Sequence, residues 1–566
     1  MNKYLSSKYL RLLAASGLFA IFLTPATLTA QVAQTNTGES ALFRGEQLLL
    51  TGSYAAASDI FQMADGLDRN EGLVGASRAF AMMGNYQEAM NVVEAAIEDG
   101  DYASSPFLST QLAEIKRTVG ESEEALNILQ AVVQGLGDPP VRTLVQYGSV
   151  LKFRGDKQAS RQILGQAVDR YNDGLVFSSE DVAMVALASW LMDSFHDANS
   201  LFNEATRANP NNLEAHVLWG NLFLEKYNAT DAERSYQEAL DLNSRYTPAL
   251  VGIASVVGDE RALQRALAIN PNYVPAMETY AQLLLLNGRE QEAQDYFTQA
   301  LALNPESLKT LSTLASQAMM EEQFEDYERY LATVEGFSPG NPQFLGDVAD
   351  TFGKNYRFDE AVEFARASID ADPEYWQGYT VLGGNLIRLG EEDEGRRNLE
   401  IGFENDPFNV MTSNMLTVFD TLATYRTLES EHFKVHMSDH DADILWPYLE
   451  PLLEEGWDTL TEKYGFEPEG PILIEVFEDS QDFAVRSVGL PDIGPLVGIC
   501  FGKVVTLISP DTLSANWQEI VWHEFMHVIT LQMTANRMPR WLSEGISVWE
   551  EKEGREYWGR DQGLDL

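Results

Sequence analysis

Cysteine is almost absent from this chain: Cys500 is the only one in 566 residues. An internal disulfide framework is therefore excluded, and Cys500 reads as a buried strand residue rather than a nucleophile. Cations are scarce as well, with 39 Lys and Arg against 86 Asp and Glu and a formal net charge of −47. So negative a surface repels phosphate, which argues against nucleic acids and anionic membranes and leaves basic client segments as the partners that charge would favour. Long apolar runs are missing too. The one near the N-terminus, Leu12 to Leu23, is twelve residues, too short for a stable membrane span. Lys3, Lys8 and Arg11 precede it and Thr24-Pro25 breaks it before Ala26–Ala30, so residues 1–30 read as a cleavable signal peptide. No lipid-anchor cysteine follows. The mature chain is expected to be exported, periplasmic or secreted, with no transmembrane anchor.

Histidine is also rare, at seven, yet two stand four apart in His523-Glu524-Phe525-Met526-His527. On a helix that spacing puts both imidazoles on one face, able to reach a single metal ion, with Glu524 beside the water the ion holds. Zinc in a catalytic site takes three protein ligands and leaves a position for water. Glu544, in Trp541-Leu542-Ser543-Glu544-Gly545, is the candidate third ligand, and Glu524 the candidate base. Asn516 to Glu519 has the spacing of a capping box at a helix start. Trp517, Ile520, Val521, Phe525 and Val528 give that helix an apolar stripe around the histidines. Pro539 suits the first position of a second helix, whose buried face would be Trp541, Leu542, Ile546 and Trp549.

These residues resemble the gluzincin metallopeptidases, specifically the bacterial peptidase MA-like domains attached to tetratricopeptide repeats. The matching stretch runs from about Glu431 to Glu551. The resemblance implies a small α+β zincin-like domain over 431–566 and peptide-bond hydrolysis. It also implies that Zn2+ is held by His523, His527 and Glu544, with Glu524 as the catalytic base. Strands are expected at 431–437, 472–477 and 498–509, and a helix over 444–464. In this family the strand nearest the cleft often pairs with the substrate backbone, which points to 498–509. His432, His436 and His440 have no partner motif and read as surface or strand histidines. Gluzincins usually continue past the third ligand and supply a Tyr or His for the developing oxyanion. Here 22 residues follow Glu544, without a histidine and with Tyr557 as the sole tyrosine. Either Tyr557 or an upstream group takes that part, or the chain is a piece of a longer protein truncated at its C-terminus.

Most of the chain is a repeat array. Asn209-Pro210, Asn270-Pro271 and Asn304-Pro305 recur, and Pro271, Pro305, Pro339, Pro373 and Pro407 follow one another at steps of 34 residues. Asn243 to Asn270 is only 27, so one unit is seven residues short. Small residues recur where paired helices must approach: Ala198, Ala232, Ala293, Ala361 and Gly395. Looser copies precede these, with turns marked by Gly52, Gly84, Gly120 and Gly155. The period, the helix pairing and the closing proline resemble the tetratricopeptide repeat. About eleven helix pairs are expected between 40 and 408, stacked into a superhelix with a concave surface for peptides or partner proteins. Residues 409–430 continue helical patterning and read as a connecting helix.

The fold class is thus mostly α, a helix-pair solenoid followed by the small α+β domain. The function expected is an exported zinc-dependent endopeptidase whose array recruits protein or peptide substrate, or a protein partner. The rival is a non-catalytic periplasmic scaffold with an incomplete protease domain, and a further rival is a metal-dependent hydrolase of non-peptide substrates.

Overall fold

The computed structural model describes residues 40–558 apart from 99–101, 103, 492, 493, 495, 513 and 514. The signal-peptide reading of residues 1–30 lies outside the described residues. Residues 41–405 form consecutive helix pairs, from Ala41–Leu50 with Tyr54–Gln62 to Trp376–Arg388 with Glu392–Asn405. Each pair buries one stripe against its partner and neighbours. Ala198, Ala232, Ala293 and Ala361 are all fully buried where the second helix of a pair crosses the first. In the shortened unit the helices Thr247–Val257 and Glu260–Ile269 are 11 and 10 residues, against 13 and 14 in the pair that follows. Gly258, left-handed at φ 70°, closes the tighter turn between them.

The superhelix is wound tightly enough that one turn rests on the next. The turn inside the first pair meets the junction between the sixth and seventh, where Asn243 donates to the carbonyl of Leu49 and to the Tyr54 hydroxyl. The second pair repeats the arrangement, with Asn270 bonding to the carbonyl of Ala81 and to Tyr86. Lys226, in the sixth pair, reaches Asp406 at 2.7 Å. The Asn243, Asn270 and Asn304 side chains also accept the backbone N–H two residues on, so each stabilises its own turn, and the first two reach across to another as well. Glycine is required on the receiving side. A Cβ at Gly84, where φ is +78°, would lie 2.3 Å from Asn270 Oδ1, and one at Gly120 would lie 2.5 Å from Asn304 Oδ1.

Beyond the array the elements are α1 (Val410–Leu422), β1 (Arg426–Glu429), β2 (Phe433–Met437), α2 (Asp439–Tyr464), β3 (Ile472–Phe477) and α3 (Ser480–Val488). They continue with β4 (Gly498–Cys500), β5 (Val504–Ile508), α4 (Trp517–Met533) and α5 (Arg540–Gly554). The sheet order is β1-β2-β3-β5-β4, parallel through β2, β3 and β5 and antiparallel at both edges. Two expectations change here. Residues 426–429 of the connecting segment are an edge strand, because Leu428 packs on the domain core while the backbone pairs with β2. The stretch 498–509 is two strands rather than one, because Gly502 at φ +103° reverses the chain between them.

Side chains alternate across the sheet and both faces are covered. Phe433, Val435, Met437, Ile472, Ile474, Val476, Val505 and Leu507 pack with α2 and α4. On the other face Leu473 and Val504 meet Phe358 of the array, while Phe477 meets Ile387, Leu399 and α1. The array and the sheet therefore share a core.

Gly84→Ala is expected to destabilise the array by about 1–3 kcal/mol, through left-handed strain and the clash with Asn270. The readout is a lower urea midpoint of the far-UV signal. Gly165→Ala, on a helix with open space around the new Cβ, is the control and should leave the midpoint unchanged or slightly raised. Equal midpoints for the two variants would contradict the contact between superhelical turns.

Candidate metal centre

Helix α4 presents His523, Glu524 and His527, and α5 crosses it to bring Glu544 to the same point. His523 Nε2 and His527 Nε2 are 3.1 Å apart, and Glu544 Oε2 lies 3.4 Å from the first and 3.6 Å from the second. Three ligands at about 2.0–2.1 Å from a tetrahedral ion would stand roughly 3.4 Å from one another. The spacing therefore fits a zinc-sized cation.

The ring orientations fit as well. His523 Nδ1 donates to Glu551 Oε1 at 2.6 Å, and His527 Nδ1 is hydrogen-bonded to Ser543 Oγ at 2.8 Å, with Ser547 Oγ at 3.3 Å. With both Nδ1 atoms engaged by α5, the two Nε2 atoms face one point, an arrangement that a cation or an added proton relieves. In the metal-free chain a proton does so. Burial pushes the His523 imidazole down, but hydrogen bonds to Glu544 and Glu551 outweigh it and bring the pKa to about 9. The same hydrogen bonds from His523 and His527 hold Glu544 well below the usual carboxylate range.

Glu524 is buried beside the triad, and burial pushes its carboxyl up, against the pull of His527 and His523. It rests against the edge strand: a Cβ at Gly498 of β4 would stand 2.7 Å from Glu524 Oε1. Only a glycine allows β4 to run so close to the carboxylate. Cys500, two residues along β4, is buried, and burial and Glu524 together push its thiol up, which keeps it inert. The array reaches this wall too. Tyr356 lies beside Phe501 with ring centroids 6.1 Å apart, and Arg540 and Glu524 are among the charges its hydroxyl feels.

Several readings of the local sequence need correction. Asn516 does not cap α4 through its side chain; its Nδ2 bonds to Glu519 Oε2 instead, which uses up the pair that a capping box would need. Trp541 and Trp549 are 75% and 59% exposed, and Leu542 is 36% exposed, so they are not the buried face of α5. That face is polar: Ser543, Ser547, Glu550 and Glu551. The histidines demand hydrogen-bond partners on the helix that crosses them, and Glu550 is claimed by Lys463 at 2.8 Å and Tyr464 at 2.6 Å. The i, i+4, i+8 spacing of Ser543, Ser547 and Glu551 is the signal that could have disclosed them. Tyr557 is 77% exposed and, among the described residues, contacts Trp558 and Arg555. Of the remaining histidines, His432 stacks on Trp457 and pairs with Glu454, His440 is exposed, and His436 is buried against the array.

Another cavity, a groove of about 660 Å³, lies within the first superhelical turn. Arg142 spans it, held between Glu114 at 2.6 Å and Glu214 at 2.9 Å.

Among families, a tetratricopeptide repeat model matches residues 262–295. The array is a tetratricopeptide-like scaffold of the kind suited to protein partners. In fold the chain is similar to yeast Tom70, at 14% identity and a TM-score of 0.30, covering 67% of this chain and 88% of that one. It is similar also to the hetero-tetramer Cut9–Hcn1 of the APC/C, at 12% identity and a TM-score of 0.28, covering 71% and 93%. No curated protein matches the chain in sequence.

Glu551→Ala is expected to release the His523 ring and lower zinc affinity about 10–100-fold, with the far-UV spectrum retained. Competition against a chromogenic chelator measures it. An affinity equal to wild type would show that Glu551 does not orient the histidine.

Proposed function

We propose that the chain is an exported, zinc-dependent endopeptidase whose repeat array recruits protein substrate or a partner protein. The observation that carries the reading is the convergence of His523, His527 and Glu544 within 3.6 Å of one another, beside Glu524 and an edge strand. The resemblance to gluzincin peptidases assigns these residues the same roles. A zinc ion held there supplies Lewis acidity that lowers the pKa of a water toward about 7 and polarises the peptide carbonyl.

The chain's own residues do the rest. Glu524 accepts the proton of the attacking water and passes it to the amide nitrogen as the C–N bond breaks. Its raised pKa suits both transfers. Glu551 and Ser543 keep the two imidazoles aimed. β4, at the edge of the sheet, offers backbone groups to an extended peptide, which would add as a further strand with its scissile bond near Glu524. The acidic surface favours basic segments as clients. Among the described residues no helix is long and apolar enough to cross a membrane.

One observation favours the rival reading, a scaffold without activity. Tyr557, the one tyrosine after Glu544, is turned to solvent rather than into the site. Glu524→Gln separates the two. The variant should bind zinc like wild type yet cleave an unfolded protein at least about 100-fold more slowly, and chelation should abolish the wild-type activity. Equal cleavage by zinc-loaded wild type and variant would defeat the peptidase reading, as would the lack of any chelator-sensitive cleavage by wild type.

A further inference from the structure

On the face of the sheet that meets the array, one lateral row is polar. His436 of β2 is the register partner of Glu475 of β3, and Glu475 that of Thr506 of β5, so the three side chains stand on one face. Their neighbours along β3 on that face, Leu473 and Phe477, are apolar and buried. Glu475 is wholly buried with Arg486 beside it, and His436 is 9% exposed with no hydrogen-bond partner at its Nε2. From the last array helix Glu392 reaches the same place. One ligand atom each from Glu392, His436 and Glu475 lies within 4.8 Å of the other two.

A buried carboxylate is costly unless a cation or a proton meets it. Arg486 of α3 supplies one, its Nε 2.8 Å from Glu475 Oε2 with both side chains at 0% exposure. A single guanidinium cannot balance two carboxylates, and it offers nothing to a bare imidazole nitrogen. A proton shared between Glu392 and Glu475 would correct the charge and still leave His436 unsatisfied. A divalent ion satisfies all three. Glu392 is half-buried, which leaves the ion a route from solvent.

We propose that Glu392, His436 and Glu475 form a second divalent-cation site, which joins the last repeat to the sheet. One imidazole and two carboxylates suit zinc or manganese. The site is separate from His523 and His527 and does not depend on peptidase activity.

The test uses the full chain, stripped with chelator, reloaded with Zn2+ and desalted for elemental analysis. A His523→Ala/His527→Ala variant removes the motif site and should retain one equivalent of zinc. Adding Glu392→Gln to that variant should weaken the remaining binding at least about tenfold without altering the circular dichroism spectrum. A folded motif variant that holds no zinc, or one whose zinc survives Glu392→Gln undiminished, would overturn the proposal. If wild type and the motif variant hold the same single equivalent, the motif reading fails and this one stands. Anomalous scattering at the zinc edge from wild-type crystals is the second measurement: a peak between His436 and Glu392 is expected, and zinc at His523 alone would refute the site.

Discussion

The five-stranded sheet is buried on both faces, and this constraint orders everything around it. Helices α2 and α4 cover one face and the last repeats, α1 and α3 cover the other, so each strand residue must suit one of two different partners. Strand β3 shows the consequence, since all six of its residues are buried. Helix α4, which carries His523 and His527, and the array are thereby positioned by a common element. β4 is the edge strand that lies beside Glu524.

The array solves a different problem. A solenoid of helix pairs has apolar interfaces between neighbours, but its turns must also rest on one another through loops, where backbone groups need partners. Asn243 and Asn270 meet that need by bonding to their own turn and to the glycine-bearing turn of an earlier pair. The asparagine that marks the 34-residue period is therefore more than a helix terminator: it also seals the superhelix. With its turns sealed, the first superhelical turn encloses a groove whose charged lining is partly neutralised internally by Arg142.

Much of this was legible in the residues, and the illegible parts have a common cause. The periodicity disclosed the repeats, and the spacing of His523, Glu524, His527 and Glu544 disclosed a cluster that the structure brings together. The inner face of α5 was misread because apolar periodicity assumes that a helix buries its hydrophobic stripe. Next to the two imidazoles the buried stripe is Ser543, Ser547 and Glu551, and Trp541 and Trp549 turn outward. Segment 426–429 was misread for a related reason. Helical patterning continues through α1, and pairing with β2 then overrides local preference.

Taken alone, the residues determined what local spacing can determine: the repeat period, the glycine turns, the motif helix and the scarcity of cations and thiols. Tertiary structure alone decided which distant groups meet. It set Glu551 behind His523, Gly498 against Glu524, and Glu392 opposite His436 and Glu475, which lie 44 and 83 positions further along the chain. The reason is physical. Hydrogen-bonding ladders and helix faces repeat over a few residues and leave a mark in the sequence, whereas contacts between a solenoid and a sheet depend on how two finished surfaces fit.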